Sequence, residues 1–98
     1  MDFVERLNRL LESANGKLED VKWGTMRGQL LTLGTMTDDH LANSRHYHKH
    51  LAEVARVAPE IRVEYDECKF SQFLMEQVIL SRKAAGTWTI DQQDFRLA

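Results

Sequence analysis

The chain has 98 residues, of which 43% are hydrophobic and 29% are charged, and its formal net charge is −2. This length favours a single domain over residues 1–98, and the near-neutral charge makes nucleic acid an unlikely partner. There is no apolar run of membrane-spanning or signal-peptide length, and the lone Cys68 excludes an internal disulfide. We therefore expect a cytoplasmic protein that has no membrane partner.

Residues 2–14 predict an amphipathic helix. Asp2 and Glu5, three residues apart, are typical of a capping box, and Asn15 and Gly16 provide a left-handed stop. The apolar residues recur at spacings of three and four: Phe3, Val4, Leu7, Leu10, Leu11 and Ala14.

Residues 20–33 predict a β-hairpin. Val21, Trp23 and Thr25 alternate with polar or small residues, and 29–33 read as a second short strand. The turn between them is expected at Met26-Arg27-Gly28.

A second helix is predicted from Thr37 or Asp38 to about Val57, ended by Pro59. One side of this helix is expected to be apolar, and the other side polar. The apolar side comprises Leu41, Ser44, Tyr47, His48, Leu51, Val54 and Ala55, and the polar side comprises Asn43, His46, Lys49, His50 and Glu53.

After Pro59 the pattern allows two interpretations of residues 61–66: an alternating strand, or the start of a helix. Helical spacing then runs from Phe70 to Lys83, and Gly86 ends it. Residues 87–90 could form a last strand. The predicted fold class is α+β, mostly α, with three main helices and a central β-hairpin that a C-terminal strand would extend.

Four histidines lie within residues 40–50. His46 and His50 are four residues apart, which is metal-ligand spacing on a helix, but no HExxH pattern accompanies them. A metal-dependent enzyme acting through this pair is therefore the remote alternative, and a solvated pair is favoured. We expect His48, on the apolar side, to be a hydrogen-bonded core or interface residue.

Residues 40–52 contain Arg45 and Lys49 and no acid, so this helix presents either a solvated surface or a face for an anion such as a phosphate. The two tryptophans are core residues, stacking platforms for a base, or hot spots for a protein partner. The candidate ligand-binding residues are Arg27, Arg45, His46, Lys49, Trp23 and Trp88. Catalytic motifs are absent from the sequence, and we expect neither an enzyme nor a cofactor.

The pattern Trp23-Gly24-Thr25, Gly28, Leu31, Leu33 and then Met36-Thr37-Asp38-Asp39-His40-Leu41-Ala42-Asn43 resembles small bacteriophage-encoded accessory proteins. The resemblance is confined to residues 23–43. It implies an anti-defence or host-takeover binding protein in the host cytoplasm.

The first form to consider is an oligomeric sponge that sequesters an anionic nucleotide signal. The alternatives are an inhibitor or adaptor that docks on a host protein, and a small DNA-associated regulator. We expect a homo-oligomer, because so short a chain can hardly enclose a ligand pocket alone.

Overall fold

The computed structural model of the chain describes residues 2–24, 28–58, 60 and 65–90. The predicted fold class is confirmed there, with three α-helices and one two-stranded antiparallel hairpin. Contacts divide the chain into an N-terminal unit, which ends at Thr37, and a C-terminal unit, which begins at Asp38. The single domain over residues 1–98 stays a prediction.

Helix α1 spans Phe3–Ser13, in agreement with the predicted helix. Its first turn is capped by Asp2, whose Oδ1 accepts a hydrogen bond from the Glu5 backbone N–H at 2.8 Å. Its end is set by Asn15 and Gly16, whose φ angles are +55° and +78°. In this left-handed turn the Gly16 N–H donates to the Leu11 carbonyl at 2.7 Å, which satisfies a carbonyl that the helix leaves open.

Strand β1 spans Lys22–Gly24 and pairs antiparallel with β2, Leu30–Thr32. The predicted hairpin is therefore present, with Trp23 opposite Leu31 and strands shorter than expected. One further ladder bond runs from the Leu33 N–H to the Val21 carbonyl at 2.9 Å. Residues 25–27, and with them most of the predicted turn, lie outside the described residues.

Short 3₁₀ turns flank the hairpin at Leu18–Asp20 and Leu33–Thr35, and the two turns are in contact. Gly34 sits where they meet. A Cβ at this position would lie 2.7 Å from the Glu19 backbone oxygen, closer than real Cβ atoms come. The N-terminal unit thus needs a residue without a side chain at position 34.

Helix α2 spans Asp38–Val57 and α3 spans Tyr65–Ala84, and the two pack against each other. They run antiparallel, because the start of α2 meets the end of α3. Their shared core contains four fully buried side chains, Leu41, Leu74, Met75 and Val78. Since α3 begins at Tyr65, helix is the correct interpretation for residues 65 and 66, while 61–64 lie outside the described residues.

The end of α3 also follows its predicted signal, since Gly86 has a φ of +75°. The strand predicted over 87–90 is wrong, because these residues form no strand. Instead the Thr89 N–H donates to the Asp38 carboxylate at 2.9 Å, so a side chain takes the backbone donor that a strand would use. Residues 91–98 lie outside the described part of the chain.

Candidate binding surface on helix α2

The side of α2 that packs on α3 is the inner face, formed by Leu41, Ser44, His48, Ala52 and Ala55. All five residues are buried. This face accounts for part of the apolar side predicted from the sequence.

A second apolar surface, the outer face of α2, consists of Tyr47, Leu51, Val54, Val57 and Ala58. Tyr47 is 49% exposed, Val54 39% and Val57 70%, and Leu51 and Ala58 are half-buried. The sequence places Tyr47 and Val54 on the apolar side of α2, and the structure shows that α3 covers only part of that side, so its margin lies in water.

Arg45, a predicted anion ligand, is bound to α3. Its Nε and Nη2 donate to Glu76 Oε2 at 2.9 Å and 2.8 Å, and its side chain is only 18% exposed. A guanidinium held this way by a carboxylate is poorly placed to receive a phosphate, since a second anion would have to compete with Glu76.

His46, Lys49 and His50 are the remaining basic residues in the middle of α2. His46 and Lys49 are half-buried, and His50 is exposed. The Nδ1 atom of His46 is buried and has no hydrogen-bond partner among the described residues. Buried polar atoms in folded proteins are normally paired, and His46 Nδ1 is the one such atom of α2 that lacks a partner among the described residues.

The other predicted ligand residues are distributed along the chain. Trp23 lies in β1 of the N-terminal unit, and Trp88 follows α3 in the C-terminal unit, both half-buried. Arg27 is outside the described residues. Of the five predicted residues that the structure describes, Arg45, His46 and Lys49 lie on one helix, within little more than one turn.

A partly buried cluster around Asp38 was not predicted from the sequence. Its Oδ1 accepts from Arg82 Nη1 at 2.8 Å, and its Oδ2 accepts from the Thr89 N–H at 2.9 Å and from Thr89 Oγ1 at 2.8 Å. The side chains of Asp38 and Arg82 are 14% and 12% exposed. The two residues are 44 positions apart, and no local pattern in the sequence predicts that they pair.

The ionised form of Asp38 is stabilised by these contacts. Burial acts to raise the pKa of this carboxyl, but the hydrogen bonds from Thr89 and Arg82 and the charge of Arg82 outweigh it. The pKa of Asp38 is therefore below its ordinary value. A carboxylate held in this way joins the start of α2, the end of α3 and the segment that follows.

His48 is the hydrogen-bonded core histidine that was predicted. Its Nδ1 donates to the Ser44 carbonyl at 2.7 Å, which fixes the proton on that nitrogen. Burial lowers the pKa of His48, and the bond to Ser44 offsets only part of this effect. Cys68 is likewise buried, as expected for a small apolar residue.

Across the described ranges, no three or more His, Cys, Asp or Glu side chains gather in an arrangement suited to a metal ion. None of the helices in these ranges combines the length and the apolarity needed to cross a bilayer. No family model matches the chain, and no curated protein or solved structure matches it. The resemblance to bacteriophage proteins therefore stays a prediction from its motif.

Proposed function

We propose that the chain is a non-enzymatic binding protein that acts by contacting another protein through the outer face of α2. The observation that carries this proposal is that Tyr47, Val54 and Val57 are all exposed on one helix. Apolar patches exposed on a protein surface mark interaction sites in soluble proteins. Their removal from water on binding supplies favourable free energy in proportion to the apolar area covered.

The resemblance to bacteriophage accessory proteins supplies the setting of this proposal. In that setting the partner is a host protein, and the chain inhibits it or links it to another component during host takeover or evasion of defence. Docking through a helix face suits this role, because an amphipathic helix can enter an apolar groove of its target.

A tagged chain, used to capture proteins from a bacterial host lysate, tests this proposal. We expect a captured protein that is lost with Val54→Lys, since a lysine there places a charge in the contact. Leu80→Lys is the matched control, because Leu80 is 56% exposed on α3 and lies outside the outer face. If the native chain, Val54→Lys and Leu80→Lys all capture the same proteins, the outer face is not the docking surface.

Nucleotide sequestration between subunits is the second candidate, favoured by the unpartnered Nδ1 of His46 and by Lys49 one turn away. Thermal unfolding with a panel of cyclic and ADP-ribose-derived nucleotides tests it. A bound nucleotide should raise the melting temperature of the native chain, and His46→Ala and Lys49→Ala should each reduce the shift. The absence of any shift across the panel would remove this candidate.

A further inference from the structure

We propose that a second copy of this chain covers the outer face of α2 when no other protein is bound there. The inference rests on the proposed function, in which this face is a protein-binding surface. It goes further by naming the occupant and its orientation: two α2 helices, antiparallel, related by a two-fold axis. Three features of the outer face support a second copy of the chain as the molecule that covers it.

The first feature is the spacing of the apolar residues. Tyr47, Leu51, Val54 and Ala58 follow one another at intervals of four, three and four residues. This is the spacing by which two helices pack side by side along a shared seam. On its inner face α2 already packs against an antiparallel helix, α3, so the same helix has one seam filled and one seam open.

The second feature is that the residues of the seam complement one another in size. In an antiparallel pair centred between Leu51 and Val54, these two residues lie opposite each other's copies. Tyr47 then lies opposite the second copy's Ala58, so the largest side chain meets the smallest. A parallel pair would instead place Tyr47 against Tyr47. Antiparallel helices also bring opposite ends of their dipoles together.

The third feature is that the four residues of the seam, all of them described by the structure, carry no fixed charge. Its solvent-side flank carries Asn43, His50 and Val57, while Lys49 and Glu53 lie further around the helix. A two-fold contact places equivalent patches of both copies together. Like charges on such a patch would repel, and a partner selected by charge would need charged residues here. A neutral patch avoids repulsion between the two copies, and it offers no charge by which a different partner would be selected.

The size of the seam sets the strength of the expected contact. The segment from Tyr47 to Ala58, which ends one residue beyond α2, is about 17 Å long at 1.5 Å per residue. A standard stable interface buries roughly 800 Å² on each partner, and three turns of one helix cover less than that. We therefore expect a dimer that dissociates on dilution, which leaves the face available to another protein.

Sedimentation of the purified chain over a hundredfold range of concentration tests the inference. The apparent mass of the native chain should rise with concentration from 11.4 kDa towards twice that value. Val54→Lys and Val54→Glu should each stay monomeric, because each places two like charges in the seam, and their equimolar mixture should regain the dimer. Leu80→Lys should behave as the native chain does.

Val57→Lys, at a 70% exposed position, should weaken the dimer without touching the core and so guards against a misfolded Val54 variant. A monomeric mass at every concentration would overturn the inference. The inference would also be overturned by a dimer that tolerates Val54→Lys, Val54→Glu and Val57→Lys, or by an equimolar mixture of the two Val54 variants that stays monomeric. If the chain is monomeric while lysate capture still depends on Val54, the dimer is wrong and the docking function stands. If the chain dimerises but captures no host protein, the docking function is wrong and the dimer stands.

Discussion

Each of the two units of the chain is stabilised internally by a different kind of interaction. The N-terminal unit depends on backbone geometry at three points, a cap at Asp2, a left-handed turn at Gly16 and a close approach at Gly34, beside a few buried side chains such as Val21 and Leu33. The C-terminal unit relies on side chains that meet across two long helices. The first unit should thus be sensitive to backbone changes, and the second to the loss of buried partners.

The largest effect is expected when Asp38 in the C-terminal unit is replaced by alanine. This substitution leaves the Arg82 guanidinium buried without its carboxylate, and breaking such a pair costs roughly 3 kcal/mol. Urea unfolding, followed by Trp88 fluorescence in a Trp23→Phe background, measures the loss.

The control for Asp38→Ala is the exposed ion pair between Arg56 and Glu53, whose side chains are both 61% exposed. Arg56→Ala should change the free energy of unfolding by under about 0.5 kcal/mol, because water screens an exposed pair. Equal losses in the two variants would show that burial does not set the strength of the Asp38 contacts.

The next largest effect is expected at Gly34 in the N-terminal unit. An alanine Cβ would collide with the Glu19 carbonyl oxygen, and such overpacking costs roughly 1–3 kcal/mol. Urea unfolding with Trp23 as the reporter, in a Trp88→Phe background, measures it. Gly24→Ala is the matched control, since nothing lies within 4 Å of a Cβ there; similar losses at both positions would argue against the close contact.

A smaller effect is expected from Asp2→Ala, which removes the side-chain acceptor for the Glu5 N–H. The loss of such a cap costs about 1 kcal/mol. Thermal unfolding followed by circular dichroism measures it. Asp2→Ser keeps a capping oxygen and should restore most of the stability, whereas an equally unstable serine variant would show that the cap is not the cause.

The smallest effect is expected on acidification, through His48 in the C-terminal unit. The unfolded chain takes up a proton near the ordinary pKa of 6.5, while the folded chain, with its lowered pKa, resists it. Stability is therefore full above about pH 6.5 and falls as the pH drops towards the folded pKa. His48→Gln should flatten this slope in melting temperature between pH 7 and about 5; an unchanged slope would assign it to another group.

Local signals predicted much of the fold. The cap at Asp2, the stops at Gly16 and Gly86 and the alternation around Trp23 each act within a few residues, so one sequence contains them in full. The strand predicted at residues 87–90 was wrong for the opposite reason. Its backbone donor is taken by Asp38, a residue far away in the chain, and no local pattern carries that information.

The candidate site was predictable only in part, for the same reason. Helical periodicity placed Tyr47 and Val54 on the apolar side of α2, but it could not show that α3 covers only part of that side. Charge counting marked Arg45 as an anion ligand, but it could not show that Glu76 already binds it. The sequence shows which side chains a helix carries. Which of them remain free to bind a ligand or a partner depends on the helix that packs against it.

The Asp38 cluster has a consequence for the order in which the protein folds. Its bonds to Arg82 and Thr89 join residues 44 and 51 positions apart, whereas the end of α2 and the start of α3 are close in the chain. Closing a longer loop costs more entropy, so the helices should associate first near Val57 and Tyr65 and reach Asp38 last. A contact formed after the transition state governs unfolding more than folding. Asp38 is then chiefly a determinant of how long the native state persists.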